Sequence, residues 1–285
     1  MSSKNSLTAS RADTGTGMTR GHGRLVLLGH PVSHSLSPIF QNAALVASGI
    51  PLVYEALDVT SAELRSTLRQ LKASNAAGNV TIPHKTAIHD LCDDLTDLAA
   101  KVGAVNTFWY ESNKLHGDNT DVGGFDAAAR ALLGGETADA RVVVLGAGGA
   151  AAAVLAAIEE WSDCKATVVA RHAERAAALA KRFRDVARVG KSVERAVKAA
   201  TLIVNATPVG QHDEGQPLDV GSIPKSAAVL DLVYRRGGTP WVRTARANGI
   251  RAADGLPMLL EQGALSFQRW FGREPDREVM RLSLA

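Results

Sequence analysis

Only two cysteines occur in 285 residues, and Cys92 and Cys164 stand far apart in no metal-like spacing. Neither a disulfide framework nor a zinc site is suggested, and plain reduced thiols in a cytoplasmic protein are expected. Long apolar runs are missing as well. None approaches the ~18 to 20 residues that a membrane-spanning helix needs, so no membrane span is expected. A surplus of one charge is also missing: Lys and Arg number 32 against 29 Asp and Glu, a formal +3 spread along the chain. That is too little to argue for nucleic acid, and no nucleic-acid motif appears. What the chain does hold, 46% hydrophobic and 21% charged residues, suits roughly two domains that bury their cores without staples.

Residues 1–23 are rich in Ser, Thr and Gly and contain no apolar stretch for a secretory signal, so they read as a disordered tail. Arg11 and Arg20 suit a transit peptide, but the amphipathic apolar face of such peptides is lacking. From Arg24 the pattern changes. Leu25 to Leu28, Val142 to Leu145, Ala166 to Val169, Leu202 to Val204 and Ala228 to Leu230 are short apolar runs closed by turn or breaker residues, as buried parallel strands are. Between them, Ala176, Leu179, Ala180 and Phe183 form the apolar stripe of a surface helix whose other face carries Arg175, Lys181 and Arg182. Lys181, Arg182, Arg184 and Arg188 are read as a solvated basic face. Alternating strand and helix imply α/β layers with parallel sheets and right-handed crossovers.

Residues 141–160, RVVVLGAGGAAAAVLAAIEE, run from a strand through a glycine turn into a helix, the context a dinucleotide fingerprint requires. Gly146, Gly148 and Ala151 fill its three small-residue positions. The first permits the tight turn, the second lets backbone approach a pyrophosphate, and the third lets helix and strand pack closely. Backbone N–H groups at the helix N-terminus then face the anion, with the positive end of the helix dipole behind them. At the end of the next strand an acid would select NAD and a cation NADP. Arg171 stands there and Arg175 follows four residues on, so both guanidiniums can face one anion. NADP(H) is the expected cofactor.

Three polar clusters precede this half. In the segment from Gly29 to Pro38, Ser35 and Ser37 either donate hydroxyls to an anionic, hydroxylated ligand or cap the helix that starts near Pro38. In the segment from Gly78 to Lys85, strand alternation puts Asn79 and Thr81 on one face. Lys85 after the proline turn is either a solvated surface group or an acid/base and electrostatic catalyst in a cleft. The third cluster joins Gly103 to Thr107 with Gly117 to Asp121. Asp121 is either the N-cap of a helix or a carboxylate that holds a lysine or a substrate hydroxyl. No histidine spacing suits a metal site, and none is expected.

Taken in order, HSLSP, NVTIPHK, GAVNT, DNTD, GAGGA, NATPVG, DLVY and GLPMLLEQ cover the chain from Leu25 to Gly272, and this series closely resembles the shikimate dehydrogenase family. The resemblance implies reversible NADPH-dependent reduction of 3-dehydroshikimate to shikimate in aromatic amino-acid biosynthesis. It implies an α/β protein of two domains around a cleft: a substrate domain over 24–121 plus 255–285, and a Rossmann-like NADP domain over 122–254. By the same resemblance Lys85 and Asp121 are the catalytic pair, and Ser35 and Ser37 bind the substrate carboxylate. Asn79, Thr81, Asn106 and Gln262 meet the ring and its hydroxyls, and Tyr234 closes the cleft. Ala147, Gly148, Gly149 and Ala150 lie under the pyrophosphate, and Asn205, Thr207, Gly210, Val233 and Gly255 line the nicotinamide end. The expected partner is the small-molecule substrate, with the protein a monomer or homodimer.

Departures from the family's pattern are Gln41 for His, Ala152 for Arg, Ala170 for Asn, Gln211 for Met, and Arg235 or Arg236 for a proline. Ala152, Ala170 and Gln211 fall at the expected cofactor site. A quinate/shikimate dehydrogenase is the neighbouring reading within the enzyme class, and a non-catalytic NADP-binding regulator the one outside it. Ser35 and Ser37 favour shikimate, because an added hydroxyl at the carboxylate-bearing carbon needs more room. Lys85 and Asp121 together favour an enzyme.

Overall fold

The computed structural model describes residues 21–285, so the tail expected over residues 1–20 lies outside the described residues. Gly21 to Gly23, counted with that tail, are docked instead. His22 is buried against the Phe271 ring, and Gly23 N donates to Ser74 O at 3.1 Å.

The first half runs β1 (Leu25–Gly29), α1 (Ser37–Ala47), β2 (Tyr54–Asp58), α2 (Leu64–Ala73), β3 (Ala77–Val80), α3 (Lys85–His89), β4 (Asp94–Leu95), α4 (Asp97–Val102), β5 (Thr107–Glu111) and β6 (Lys114–Asp118). Its six strands lie in the order β2-β1-β3-β5-β6-β4. This sheet is mixed rather than parallel, which corrects the expectation from the apolar runs. β5 and β6 pair antiparallel through a tight turn at Ser112 and Asn113, whose φ values of 49° and 67° are left-handed. That turn chemistry matches the right-handed twist of a hairpin, and no crossover helix intervenes.

The second half follows as α5 (Asp121–Leu133), β7 (Arg141–Leu145), α6 (Gly149–Glu159), β8 (Lys165–Val169), α7 (Ala173–Arg182), β9 (Ala187–Val189), α8 (Val193–Val197), β10 (Leu202–Asn205), β11 (Ala228–Asp231), α9 (Pro240–Ala247) and β12 (Arg251–Ala253). Every pair in its sheet is parallel, in the order β12-β11-β10-β7-β8-β9. The chain then returns through α10 (Leu256–Phe271) and α11 (Arg277–Leu282) to the first sheet, packing with Phe40 and Tyr54.

The continuous apolar runs have a direct cause in this layering. Val142 and Val144 face α5 and α6, while Val143 and Leu145 face α9 on the other side of the sheet. Leu25 and Leu27 likewise face α1 and α10, and Val26 and Leu28 face α2. A strand covered on both faces buries every side chain, and each fully buried Leu or Val contributes roughly 2 kcal/mol.

Two features join the halves. α5 and α10 lie side by side because Gly124 has no side chain: a Cβ there would stand 2.8 Å from Met258 O and from Gln262 Cβ. Arg182, expected on a solvated face, reaches from α7 to donate to Val102 O at the end of α4 at 2.6 Å, and Lys101 pairs with Glu159 at 2.8 Å. In the second sheet the chain departs from β7 in both directions, to β8 on one side and to β10 on the other, which opens a crevice beyond their C-terminal ends. β1 makes the same kind of switch between β2 and β3.

Candidate active site

The two crevices face each other across one cavity of about 830 Å³. From the first half Ser35, Ser37, Asn79, Thr81, Lys85 and Asn106 line it, and Asp121 joins them at the start of α5. From the second half come Gly146 to Ala150, Arg171, Arg175 and Thr207, with Tyr234, Gly255 and Gln262 at the junction. Asn205, Gly210 and Val233 are not among the residues lining this cavity. Asn205 is fully buried, donating to Asp231 at 2.8 Å and accepting from the Thr207 hydroxyl at 2.6 Å, so it supports Thr207 from behind.

At the centre, Lys85 Nζ donates to Asp121 Oδ2 at 2.6 Å. The alternatives for Asp121 resolve against capping: it is the first residue of α5, and its other oxygen, Oδ1, accepts from Asn106 Nδ2 at 2.9 Å. Asn106 Nδ2 also lies 2.9 Å from Thr120 Oγ1 and 3.1 Å from Gln262 Oε1. Three oxygens therefore share two hydrogens, and Thr120, whose hydroxyl is itself a donor beside Asn106 Oδ1 and Ser266 Oγ, is the one that need not accept. Asn106 is nearly fully buried and its Oδ1 accepts from Thr120 N at 2.7 Å, so its amide cannot turn over.

The N-cap of α1 is Leu36, with no side-chain cap; Ser35 Oγ accepts from Ser37 N at 3.2 Å just ahead of the helix, and Ser35 also lines the cavity. Tyr234 closes onto it: burial raises the phenol, opposed by contacts with the Ser35 side chain and the Leu36 backbone, so Tyr234 remains a protonated donor.

The glycine turn holds the opposite wall. Gly146 has φ +116°, and a Cβ there would approach Ala206 O to 2.7 Å, so only glycine lets β7 leave the sheet beside β10. Gly148 faces open space, with no atom within 4 Å of an added Cβ, and no side chain caps the first turn of α6. Its N–H groups are free to meet an anion. Arg171 and Arg175 flank His172, the N-cap of α7, and among the described residues neither arginine is paired with a carboxylate.

Of the departures, Ala170 lines the cavity, whereas Ala152 is 3% exposed and packs in the core between α6 and its sheet. Gln211 turns away to His34, with Nε2 to Nε2 3.4 Å. Arg235 donates to Asp213 O at 2.7 Å and so ties down the loop after β10. Sequence reasoning missed Tyr54 and Ser266, which stand directly behind Asn79. The spacing of four between Gln262 and Ser266, two polar residues on one face of an apolar helix, was the available signal.

Asp231 lies beneath this wall, fully buried. Burial pushes its carboxyl up to about 6 from 3.8, against hydrogen bonds from Thr239, Asn205 and Val233 N. The folded state thus holds a proton that the unfolded chain has lost between about pH 4 and 6, and stability falls as pH rises through that window. Urea unfolding from pH 4 to 8 should show the wild type losing about 2–3 kcal/mol relative to Asp231→Asn, whose amide is neutral throughout. Parallel profiles would show that Asp231 titrates alike in both states.

A cleft between a parallel nucleotide-binding sheet and a mixed sheet bearing a lysine–carboxylate pair defines a two-domain dehydrogenase of the α/β class. Residues 27–108 match the family described as shikimate dehydrogenase substrate binding domain, 127–212 that of shikimate/quinate 5-dehydrogenase, and 255–281 the shikimate 5-dehydrogenase C-terminal domain. The chain is 40% identical over 277 residues to the shikimate dehydrogenase (NADP(+)) of Symbiobacterium thermophilum, covering 92% of this chain and 94% of the relative. It superposes on the crystal structure of shikimate dehydrogenase from Aquifex aeolicus with a TM-score of 0.86 at 36% identity, over 94% and 99% of the two chains. On the Thermus thermophilus shikimate 5-dehydrogenase in complex with NADP(H) and shikimate the TM-score is 0.83 at 39% identity, over 91% and 97%. The chain belongs to the shikimate dehydrogenase family.

Proposed function

We infer that this chain catalyses the reversible NADP-dependent reduction of 3-dehydroshikimate to shikimate, a step of the shikimate pathway to aromatic amino acids. The observation that carries the reading is the Lys85–Asp121 pair at 2.6 Å, set where a wall of hydroxyl and amide groups meets the glycine turn in one cavity. The residues fit the cofactor: open backbone N–H groups at Gly148 and Gly149 suit a pyrophosphate, and the guanidiniums of Arg171 and Arg175 suit the additional phosphate. NADP(H), when bound, supplies the hydride chemistry.

The chain's own groups bind, orient and move the proton. Ser35, Ser37 and the Tyr234 phenol present hydroxyl donors to the substrate carboxylate. Asn79, Thr81, Asn106 and Gln262 take the ring hydroxyls. Lys85 Nζ, held by Asp121, gives its proton to the ketone oxygen as that oxygen gains charge, and the pair takes it back in the oxidising direction. Asp121 has both oxygens occupied, so it aligns the ammonium rather than competing for the substrate. One chain supplies every residue, so a monomer and a homodimer serve equally. Burial pushes the Cys92 thiol up to about 12, which suits an inert thiol in a reducing, cytoplasmic setting.

The test is oxidation of shikimate followed at the reduced-nicotinamide absorbance, with NADP+ and NAD+ in parallel and quinate as second substrate. Rapid turnover is expected with shikimate and NADP+. Turnover only with quinate or NAD+ would move the chain to the quinate/shikimate dehydrogenases, and silence from a folded, NADP+-binding sample would make it a non-catalytic binder.

A further inference from the structure

Behind the cavity wall runs a chain of buried hydrogen bonds that takes no part in the chemistry above. Its joint is Ser266 on α10, which is fully buried. The hydroxyl oxygen accepts from Asn79 Nδ2 at 2.8 Å, lies 2.9 Å from Thr120 Oγ1, and donates to Gln262 O one turn back at 2.9 Å. One small group therefore touches β3, the start of α5 and α10, the three elements that carry Asn79, Asp121 and Gln262.

We propose that Ser266, with Tyr54 as a second anchor, is a positioning residue that locks the Asn79 amide in one orientation and so decides which kind of oxygen the substrate must present there. The inference rests on reading Asn79 as a substrate contact. Asn79 Nδ2 also donates to Asn106 O at 3.1 Å, and a main-chain carbonyl can only accept, so the nitrogen is bound to that side. Both amide hydrogens are then committed. The oxygen Oδ1 is turned to the Tyr54 hydroxyl, which donates to it at 2.8 Å; burial holds that phenol in its protonated form. What remains for the cavity is one lone pair on Oδ1, an acceptor and nothing else. Asn79 accordingly selects a ligand hydroxyl and disfavours a ketone or ether oxygen at its position, which keeps the substrate's ketone turned to Lys85.

Removing either anchor loosens this selection. Ser266→Ala leaves one Asn79 hydrogen without an acceptor and removes one of the three contacts, beside Asn106 O and the Tyr54 hydroxyl, that hold the amide. Tyr54→Phe removes the donor to Oδ1 but keeps the ring, which stacks on Trp270 with centroids 6.0 Å apart, so the packing survives. In the full chain, each variant should raise the shikimate KM by about fivefold to tenfold, the loss expected for one unmade buried hydrogen bond, with kcat changed by less than about twofold. The NADP+ Kd, read by calorimetry, should stay within about twofold. A set of shikimate analogues each lacking one ring hydroxyl supplies the readout that general loosening does not move. The wild type should penalise the analogue missing the Asn79 partner, and that penalty should shrink by about fivefold in the variants.

An unchanged shikimate KM in a folded variant overturns the proposal, and so does a KM that rises together with the NADP+ Kd while every analogue penalty stays constant. Should Ser266→Ala fail to fold, Tyr54→Phe decides alone. Wild-type turnover of shikimate in the same series separates the two levels. Its absence overturns the parent reading and this one with it, whereas its presence beside unaltered variants overturns this one only.

Discussion

Lys85→Ala should lower the turnover number of shikimate oxidation by roughly three orders of magnitude while costing the fold little. The lysine is the only cation within hydrogen-bond distance of Asp121 among the described residues, at 2.6 Å, and it lines the cavity. Without it the oxygen that gains charge loses both its proton donor and the nearest positive charge. The fold tolerates the change because Asp121 keeps its bond from Asn106 Nδ2 and sits in the first turn of α5, where the helix dipole favours an anion. Asp121→Asn keeps the shape but exchanges a charged acceptor for a neutral one, so a smaller loss of about a hundredfold is expected. Steady-state kinetics beside a thermal unfolding scan decide the matter. A Lys85→Ala protein with near wild-type turnover would remove Lys85 from the mechanism, and one that fails to fold would assign it a structural role.

The second large effect concerns cofactor choice. Replacing Arg171 and Arg175 together by alanine should raise the NADP+ Kd by roughly a hundredfold and leave the NAD+ Kd nearly unchanged, because charge-assisted bonds to a phosphate account for the difference between the two nucleotides. Arg171, just past the end of β8, and Arg175, in the first turn of α7, both line the cavity and are exposed, so the advantage should shrink as salt is added. Glu174, in the first turn of α7, moderates the field, and among the described residues no ion pair joins it to either arginine. Calorimetric titration with the two nucleotides measures this without reference to turnover. A pair of variants that weakens NADP+ and NAD+ equally would place the additional phosphate elsewhere.

Much of this was legible in the amino-acid order because the relevant physics is local. The run from Arg141 to Leu145 into Gly146 and Gly148 announces a strand, a turn that needs positive φ and a helix start, all within a few residues of one another. Arg171 follows directly from where β8 ends, since a strand's last residue is marked by the end of its apolar run. The apolar runs themselves identified sheets covered on both faces. The mixed character of the first sheet was not visible by that means. It depends on two left-handed residues, Ser112 and Asn113, with neither glycine nor proline to flag them.

What escaped was whatever depends on two distant segments meeting. Whether Asp121 capped a helix or held a lysine could not be told from its neighbours. The answer comes from Lys85 and Asn106 reaching its two oxygens at the start of α5, and α10 lies against that same helix, which Gly124 permits and a larger residue would forbid. The same contact brings Gln262 to Asn106, 156 positions away in sequence, and Ser266 to Asn79 across 187. Arg182 shows the converse: its place on the outer face of an amphipathic helix suggested solvent, and only the approach of α4 supplied the carbonyl it binds. Composition and short-range pattern therefore specify the elements, the cofactor turn and the identity of the polar residues, because backbone conformation and burial period are properties of neighbouring residues. Which hydrogen faces which oxygen in the site is settled by packing, because it depends on how close helices and strands far apart in the chain can come.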